Sequence, residues 1–216
     1  MFLKDFYDIM KVVNGEEIMR QASSSRRRGD RLTESIYEAT IEIIRTEGYT
    51  NLTFQKIARL AKTSRTVLYR RWATPLDMIH EMIAYRSSQT LDGDLADKIK
   101  DTGSLRGDLL HLVTLYQKIY VDVSPEIMSA VLFEMSRNNP QIKAIKNNAV
   151  FQNIKVIEKI PRFAKARGEK IKTLSKSALT LPFDLIRISN LWGQGVLNQS
   201  MLEHLVDEIL LPVFKG

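Results

Sequence analysis

The stretch that decides the fold is Thr53–Trp72, which reads TFQKIARLAKTSRTVLYRRW. Apolar residues recur there with helical spacing, which predicts two short helices over 54–61 and 65–71. Thr53 and Ser64 each stand directly before a helix, where a side-chain oxygen can accept a hydrogen bond from a free backbone N–H. The few polar residues between the two helices are enough for a tight turn.

A longer helix is predicted immediately upstream, over 31–47, and it ends at Gly48. Its apolar face consists of Leu32, Ile36, Tyr37, Ile41, Ile43 and Ile44. Two short helices joined by a tight turn and braced by a longer helix form the helix-turn-helix arrangement, whose second short helix fits the major groove. The same spacing also fits short amphipathic helices in an ordinary helical bundle, where arginine and tyrosine side chains are simply solvated.

The residues of this stretch also carry a family pattern. They are Gly48-Tyr49, Thr53, Ile57-Ala58, Ala61, Ser64, Leu68-Tyr69 and Trp72. Their order and spacing resemble the DNA-binding domain of the tetracycline-repressor (TetR/AcrR) family, whose pattern is G-Y/F-x-x-x-T, I-A-x-x-A, a turn and S-x-x-T-L-Y-x-x-F/W. The pattern covers roughly a quarter of the chain without a gap, which makes the match fairly specific.

The resemblance implies which side chains meet DNA. Thr53 would bond a phosphate from a helix N-terminus. Arg65 would lie at the N-terminal end of the recognition helix, and Tyr69 would hold a backbone phosphate. The full predicted DNA-binding set is Arg26, Arg27, Arg28, Thr53, Gln55, Lys62, Thr63, Ser64, Arg65, Thr66, Tyr69, Arg70 and Arg71.

Three positions depart from the family pattern. Lys62-Thr63 replaces the usual Gly-Val of the turn, which either reshapes the turn or adds a phosphate contact. Thr66 replaces a smaller residue inside the recognition helix. Pro75 replaces a lysine at the start of the next helix, so that phosphate contact is lost, and the basic arm Arg26–Arg28 is a candidate replacement.

The rest of the chain predicts an all-α body. Thr74-Pro75, Ser124-Pro125 and Asn139-Pro140 each pair a capping residue with a proline at the first helical position. Helices are predicted over 2–13, 75–89, 104–121, 125–137, 140–166, 176–192 and 201–214, with Ser200 opening the last one. Pro161 and Pro182 are expected to kink or split their helices, and Leu91–Ser104 is expected to be a linker.

These predictions give three regions. Residues 1–30 form an N-terminal extension and basic arm, residues 31–74 the helix-turn-helix head, and residues 75–216 a larger helical body. The resemblance implies that the body binds a small effector and dimerises through its last two helices. Asp101–Leu109 (DTGSLRGDL) is similar to the opening of the ligand domain in one branch of the family.

The apolar side chains of the last two predicted helices support dimerisation independently, because they form a face wider than one core contact needs. Burial in a monomer core is the competing interpretation. Aromatic and methionine side chains suit an apolar effector pocket, although each taken singly is more often ordinary core. The predicted ligand-binding set is Tyr116, Tyr120, Met128, Phe133, Met135 and Phe151.

Composition narrows the function classes. The chain has a net charge of +7 and contains no cysteine, which excludes disulfides and thiol chemistry and fits a cytoplasmic protein. No apolar run is long enough to span a bilayer. The three histidines have no paired-ligand spacing, so neither a metal nor another cofactor is expected.

Positive charge is concentrated in two regions, 24–72 and 155–176. The first belongs to the predicted DNA-binding head. The second is typical of a solvated helix face, with an anionic effector or an auxiliary nucleic-acid contact as its functional alternatives.

The predicted function is therefore a dimeric, sequence-specific repressor that binds an inverted repeat and is released by a small effector. The alternatives are a helical small-molecule-binding adaptor or an enzyme without a DNA-binding role. The enzyme is disfavoured because no catalytic grouping of side chains is visible.

Overall fold

The computed structural model describes residues 29–136, 140–192 and 196–216, and these residues are helical almost throughout. Within these ranges the one strand-like feature is an isolated bridge between Ile171 and Lys215. The predicted all-α fold class is confirmed. The predicted helix over 2–13, the arm Arg26–Arg28 and the cap Asn139 lie outside the described residues.

The chain divides into two compact units between Ala73 and Thr74. The first unit contains α1 (29–47), a single 3₁₀ turn (Tyr49–Asn51), α2 (Phe54–Leu60) and α3 (Arg65–Arg71). Its core consists of the buried side chains of Ile36, Tyr37, Ile43, Ile44, Phe54, Ile57, Leu68 and Trp72.

The ends of these helices follow the capping chemistry in the sequence. The Thr53 hydroxyl accepts a hydrogen bond from the backbone N–H of Lys56 at 3.3 Å, and Ser64 does the same for Val67 at 3.3 Å. Gly48 follows α1 with a φ of 81°, a conformation that costs glycine little. The three predicted end signals are confirmed.

The second unit consists of helices and short connections. They are α4 (Pro75–Leu91), α5 (Leu95–Lys98), α6 (Leu105–Val123), α7 (Pro125–Ser136), α8 (Pro140–Ile157), α9 (Lys159–Ala166), α10 (Lys176–Trp192), α11 (Gln199–His204), a π-helical segment (Leu205–Leu210) and α12 (Leu211–Phe214). Helix α6 packs against α4, α7, α9, α10 and α11, so it is the central helix of this unit. No helix among the described residues is long and apolar enough to cross a membrane.

Several predicted boundaries in this unit need correction. The expected linker Leu91–Ser104 is partly helical, since α4 runs to Leu91 and α5 lies within the segment. The last helical stretch is capped by Asn198, whose side-chain oxygen accepts from Met201 N–H at 3.0 Å. The prediction that Ser200 caps it is therefore wrong, because the helix begins two residues earlier than predicted.

The two prolines inside predicted helices behave differently. The helix predicted over 140–166 breaks at Glu158, three residues before Pro161. A proline at 161 cannot donate a backbone hydrogen bond to the preceding turn, which favours a break there. Helix α10 continues without interruption through Pro182, so the expected split at that position does not occur.

Candidate nucleic-acid interface

Helices α2 and α3 present one polar face to solvent and one apolar face to the core of their unit. Leu68 and Trp72 are buried beneath α3, whereas its solvent side carries Arg65, Thr66, Tyr69 and Arg70. Gln55, on the first turn of α2, is exposed as well. The arrangement gives α3 a continuous row of hydrogen-bond donors on its outer face.

Tyr69 is held by an aromatic contact between the two short helices. Its ring meets the buried ring of Phe54 edge-on, with centroids 5.0 Å apart and planes at 90°. The residue nevertheless remains 62% exposed. Packing on Phe54 restricts the ring without covering it, so the side chain is preorganised to meet a partner.

Arg71 is exposed like Arg70, but its guanidinium also makes contacts within its own helical unit. Its Nη1 donates to the Thr33 hydroxyl at 2.8 Å, and its guanidinium lies 4.2 Å from the centre of the Trp72 ring. The bond to Thr33 ties α3 to α1, whereas the stacking on Trp72 is a local contact at the end of α3. Arg71 therefore has a bracing role, which the sequence did not distinguish from a phosphate contact.

The turn between α2 and α3 keeps the geometry of a helix C-cap although it lacks glycine. Lys62 adopts a φ of 52°, in the left-handed region. Thr63 N–H donates to the Ala58 carbonyl at 2.9 Å, and Lys62 N–H donates to the Arg59 carbonyl at 3.4 Å, the two bonds of a Schellman motif. The lysine therefore does not change the geometry of the turn, and its side chain is exposed to solvent.

The carboxylates near this face that form ion pairs do so with other basic residues. Glu42 pairs with Arg45, and Glu47 pairs with Lys56 at 2.5 Å. Within the described part of the chain, no carboxylate forms an ion pair with Lys62, Arg65 or Arg70. The face is therefore a cationic surface suited to the phosphate backbone of DNA.

The structure brings most of the predicted DNA-binding residues together. Gln55, Lys62, Ser64, Arg65, Thr66, Tyr69 and Arg70 are exposed on α2, α3 or the turn, as is the capping residue Thr53, whereas Thr63 is half-buried. Arg26, Arg27 and Arg28 lie outside the described residues. The role of each of these side chains toward DNA stays a prediction.

The six predicted ligand-binding residues divide between the interior of the second unit and its surface. Tyr116 meets Phe183 edge-on at 5.0 Å, and Tyr120 is fully buried. Met128 is buried and Met135 partly so, whereas Phe133 is 45% and Phe151 57% exposed. Two exposed phenylalanines do not line an enclosed apolar cavity, so the interior tyrosines are the members that fit such a pocket.

The last helices carry exposed apolar side chains, which the sequence analysis predicted only in part. They are Ile188, Leu191, Trp192, Val196, Met201 and Ile209. Beside them lies an open groove of about 480 Å³, lined by Ser189, Leu197, Ser200, Met201, His204 and Leu205. The sequence signal that would have placed most of these side chains is the run 188–202, which contains no charged residue.

Two family models match this chain. One, described as "Bacterial regulatory proteins, tetR family", covers residues 36–82. The other, described as "Tetracyclin repressor-like, C-terminal domain", covers residues 99–209, which is just over half of the chain.

Individual relatives agree with these models. A DNA-binding transcriptional repressor TetR of Mycobacteroides abscessus is 21% identical over 188 residues, 87% of this chain and 96% of the relative. An HTH-type transcriptional regulator of Mycobacterium bovis is 28% identical over 180 residues, 80% of this chain and 83% of the relative. A solved bacterial regulatory protein in the tetR family from Rhodococcus RHA1 superposes with a TM-score of 0.65 at 17% identity, over 85% of this chain and 97% of that one.

Proposed function

This chain belongs to the TetR family of bacterial transcriptional regulators, and from that premise we propose that it is a homodimeric repressor whose operator binding is relieved by a small effector. It acts in the cytoplasm, where bacterial DNA is found. The observation that carries the proposal is the cationic outer face of α2 and α3, in which neither Arg65 nor Arg70 is engaged by a carboxylate of the described chain.

On DNA, α3 lies in the major groove and α2 crosses the backbone. Arg65, at the first turn of α3, reads a base edge, because a guanidinium can make two hydrogen bonds to guanine. Tyr69, restricted by Phe54, bonds a phosphate and contributes affinity without base preference. Thr53 and Lys62 add backbone contacts at the N-terminus of α2 and in the turn.

The partner of each protomer is a second copy, bound through α10 and α11. Trp192 is 81% exposed, and a monomer that left so large an aromatic side chain in water beside further apolar residues would carry an aggregation-prone patch. The uncharged run 188–202 matches the depletion of charge in the centre of homodimer interfaces.

The groove beside Trp192 fits the same partner. In a two-fold dimer one surface meets itself, so a projecting side chain on one protomer needs a recess on the same face of the other. We infer that Trp192 seats in the partner's groove near Met201 and Leu205. Two protomers joined in this way present two recognition helices, which requires an inverted-repeat operator.

The second unit holds the effector. For an effector to release the operator, it has to bind the DNA-free protein more tightly than the DNA-bound protein. A coupling of about 1–3 kcal/mol weakens operator binding by roughly 5–150-fold, and operator DNA weakens effector binding by the same factor.

Selection of DNA tests the proposal directly. Full-length protein is mixed with sheared genomic DNA of the organism that encodes it, and the retained fragments are sequenced. We expect one shared inverted repeat with half-sites roughly 10 bp apart or a multiple of it. Retention that lacks any shared motif, or that is unaffected by salt, would refute the proposal. The Arg45→Ala variant, whose side chain pairs with Glu42 on α1, serves as the charge-matched control for Arg65→Ala.

A further inference from the structure

The interface between α6 and α10 contains a polar layer formed by Gln117 and Asn190. Gln117 donates to the Asn190 side-chain oxygen at 3.0 Å, and Asn190 donates back to Gln117 at 2.6 Å. Asn190 also donates to the Ile186 carbonyl at 2.8 Å. The two side-chain amides hydrogen-bond to each other across the two helices, so the polar groups of this layer have partners.

The side chain of Tyr120, one turn further along α6, is not paired in this way. The residue is 1% exposed, and its buried hydroxyl has no hydrogen-bond partner among the described residues. A buried hydroxyl that loses its hydrogen bonds to water and gains none in the protein destabilises the folded state, so such groups are rare in native proteins. A phenylalanine would fill the same space without that cost, which points to a use for the hydroxyl that the ligand-free chain does not show.

A guanidinium lies beside Tyr116, which is one helical turn before Tyr120 on α6. The centre of the Arg187 guanidinium on α10 lies 5.5 Å from the centre of the Tyr116 ring, and its Nη1 donates to Asp184 at 2.7 Å. The Arg187 side chain is largely buried, whereas Asp184 is mostly exposed on the outer side of the same helix. Arg187 therefore retains donors beyond the one that Asp184 uses.

The charge of Arg187 makes the electrostatic potential near the two tyrosines more positive, which favours binding of an anion. Burial raises the pKa of Tyr116 and of Tyr120, so both phenols stay protonated and able to donate. The charge of Arg187 opposes this rise at both residues, which shows that its positive potential reaches both phenols. Asp184 acts in the opposite sense on Tyr116 and more weakly than Arg187.

We propose that Tyr120 and Arg187 together bind the carboxylate of a small effector between α6 and α10. The inference rests on the proposed function in taking the second unit as the effector-binding part. A hydroxyl on α6 and a guanidinium on the packed helix α10 supply one neutral and one cationic donor for the two oxygens of a carboxylate. The Tyr116 and Phe183 rings supply an apolar wall for the remainder of the molecule.

Matched probe molecules test the charge requirement with the full-length chain. Octanoate, octanol and octylammonium share one tail, as benzoate, benzyl alcohol and benzylammonium share one ring. We expect a carboxylate to raise the Tm more than its neutral and cationic counterparts, and calorimetric titration to give its Kd. Tyr120→Phe and Arg187→Met should each weaken that binding by about tenfold or more.

Two controls keep the result interpretable. Arg162→Met removes an exposed arginine of the same unit and should leave the Kd for the carboxylate unchanged. Without ligand, Tyr120→Phe should have a Tm equal to or above that of the original chain, because an unpaired buried hydroxyl is removed. Circular dichroism of each variant verifies that it is folded.

The proposal is overturned if no carboxylate exceeds its neutral counterpart, if Tyr120→Phe binds carboxylate undiminished, or if Tyr120→Phe lowers the Tm without ligand. Its failure is separable from that of the proposed function. A chain that selects an operator but ignores carboxylates refutes this inference alone. A chain that binds carboxylate through Tyr120 and Arg187 but retains no DNA refutes the repressor proposal alone.

Discussion

Asp108 and Arg167 are 59 residues apart in the chain and form a buried ion pair, with Arg167 Nη2 donating to Asp108 Oδ2 at 2.7 Å. The Asp108 carboxylate is fully buried at the start of α6 and also accepts from the backbone and the hydroxyl of Thr102, each at 2.7 Å. Arg167 lies at the end of α9 and pairs with Asp101 and Glu169 too. The network fastens α9 to the opening of α6.

The segment DTGSLRGDL owes its composition to this network. Ser104 caps α6 by accepting from Gly107 N–H at 3.1 Å. A Cβ at Gly107 would come within 2.4 Å of the Thr102 hydroxyl oxygen, so a larger residue there would displace Thr102 from Asp108. The basic segment 155–176 is explained in part as well, since Arg167 is structural and the Lys172 ammonium donates to the Pro212 carbonyl at 2.8 Å.

Asp108→Ala should lower the free energy of unfolding by about 3–5 kcal/mol, the usual result of removing one partner from a buried ion pair. The variant leaves Thr102 N–H without its acceptor and Arg167 with one carboxylate fewer. Urea denaturation followed by circular dichroism measures the loss. Glu158→Ala is the control, because Glu158 forms an exposed ion pair with Arg162 and its removal should change stability little. Equal losses from the two variants would contradict the structural role of the network.

The exposed pair Arg106–Asp207 predicts a pH effect of defined sign. A hydrogen bond from Arg106 lowers the pKa of Asp207 below its usual value. A group with a lowered pKa in the folded state contributes stability above its unfolded pKa, near 4, and this contribution is lost as the pH falls further. NMR titration should show the pKa of Asp207 rising in Arg106→Gln and staying low in Arg162→Gln. An unchanged pKa in Arg106→Gln would show that the pair does not form in solution.

Lys62→Gly should stabilise the first unit by about 0.5–1 kcal/mol, because glycine adopts the left-handed conformation of this turn without steric cost. Lys62→Ala removes the same charge but keeps the Cβ, so it should give no such gain. If Lys62 contacts a phosphate, both variants should reduce the salt dependence of DNA binding by about 0.9 in slope. Thermal unfolding and binding at several salt concentrations separate the two effects, and a gain in Lys62→Ala equal to that in Lys62→Gly would refute the backbone argument.

Local chemistry in the sequence was sufficient for the helices and for most of the proposed interface. Thr53, Ser64 and Thr74 each cap the helix that follows them, as a short-range signal predicts. The same signals misplaced the start of the last helix, which is capped by Asn198 and not by Ser200. Two acceptable capping residues lie two positions apart there, and the local sequence does not distinguish between them.

Contacts between distant residues could not be predicted in this way. No local signal indicates that Asp108 meets Arg167 or that Arg187 lies beside Tyr116. Nor does one indicate that the Tyr120 hydroxyl has no hydrogen-bond partner in the described ranges. Each depends on the packing of α6 against α9 or α10, which periodicity alone does not define. The predicted pocket therefore mixed interior tyrosines with surface phenylalanines.

Trp192→Ala should convert the proposed dimer into monomers or weaken it by at least tenfold, because large exposed aromatic residues dominate such interfaces. Sedimentation velocity across a concentration series measures the change. Phe151→Ala removes another exposed aromatic residue, on α8, and should leave the association unchanged. A monomeric original chain at micromolar concentration, or equal effects of both variants, would refute the α10–α11 interface.

The adjacent arginines of α3 give the sharpest test of the nucleic-acid interface, since they have the same charge but different contacts within the protein. Both side chains are exposed, but Arg71 also donates to Thr33 and stacks on Trp72. Arg70→Ala should weaken DNA binding and leave the Tm of the first unit nearly unchanged. Arg71→Ala should lower that Tm, because it removes a buried-side hydrogen bond and a cation–π contact together worth about 1–2 kcal/mol. Calorimetry and DNA titration of both variants decide the matter: if Arg70→Ala destabilises the fold as much as Arg71→Ala does, the division between bracing and DNA-facing arginine is wrong.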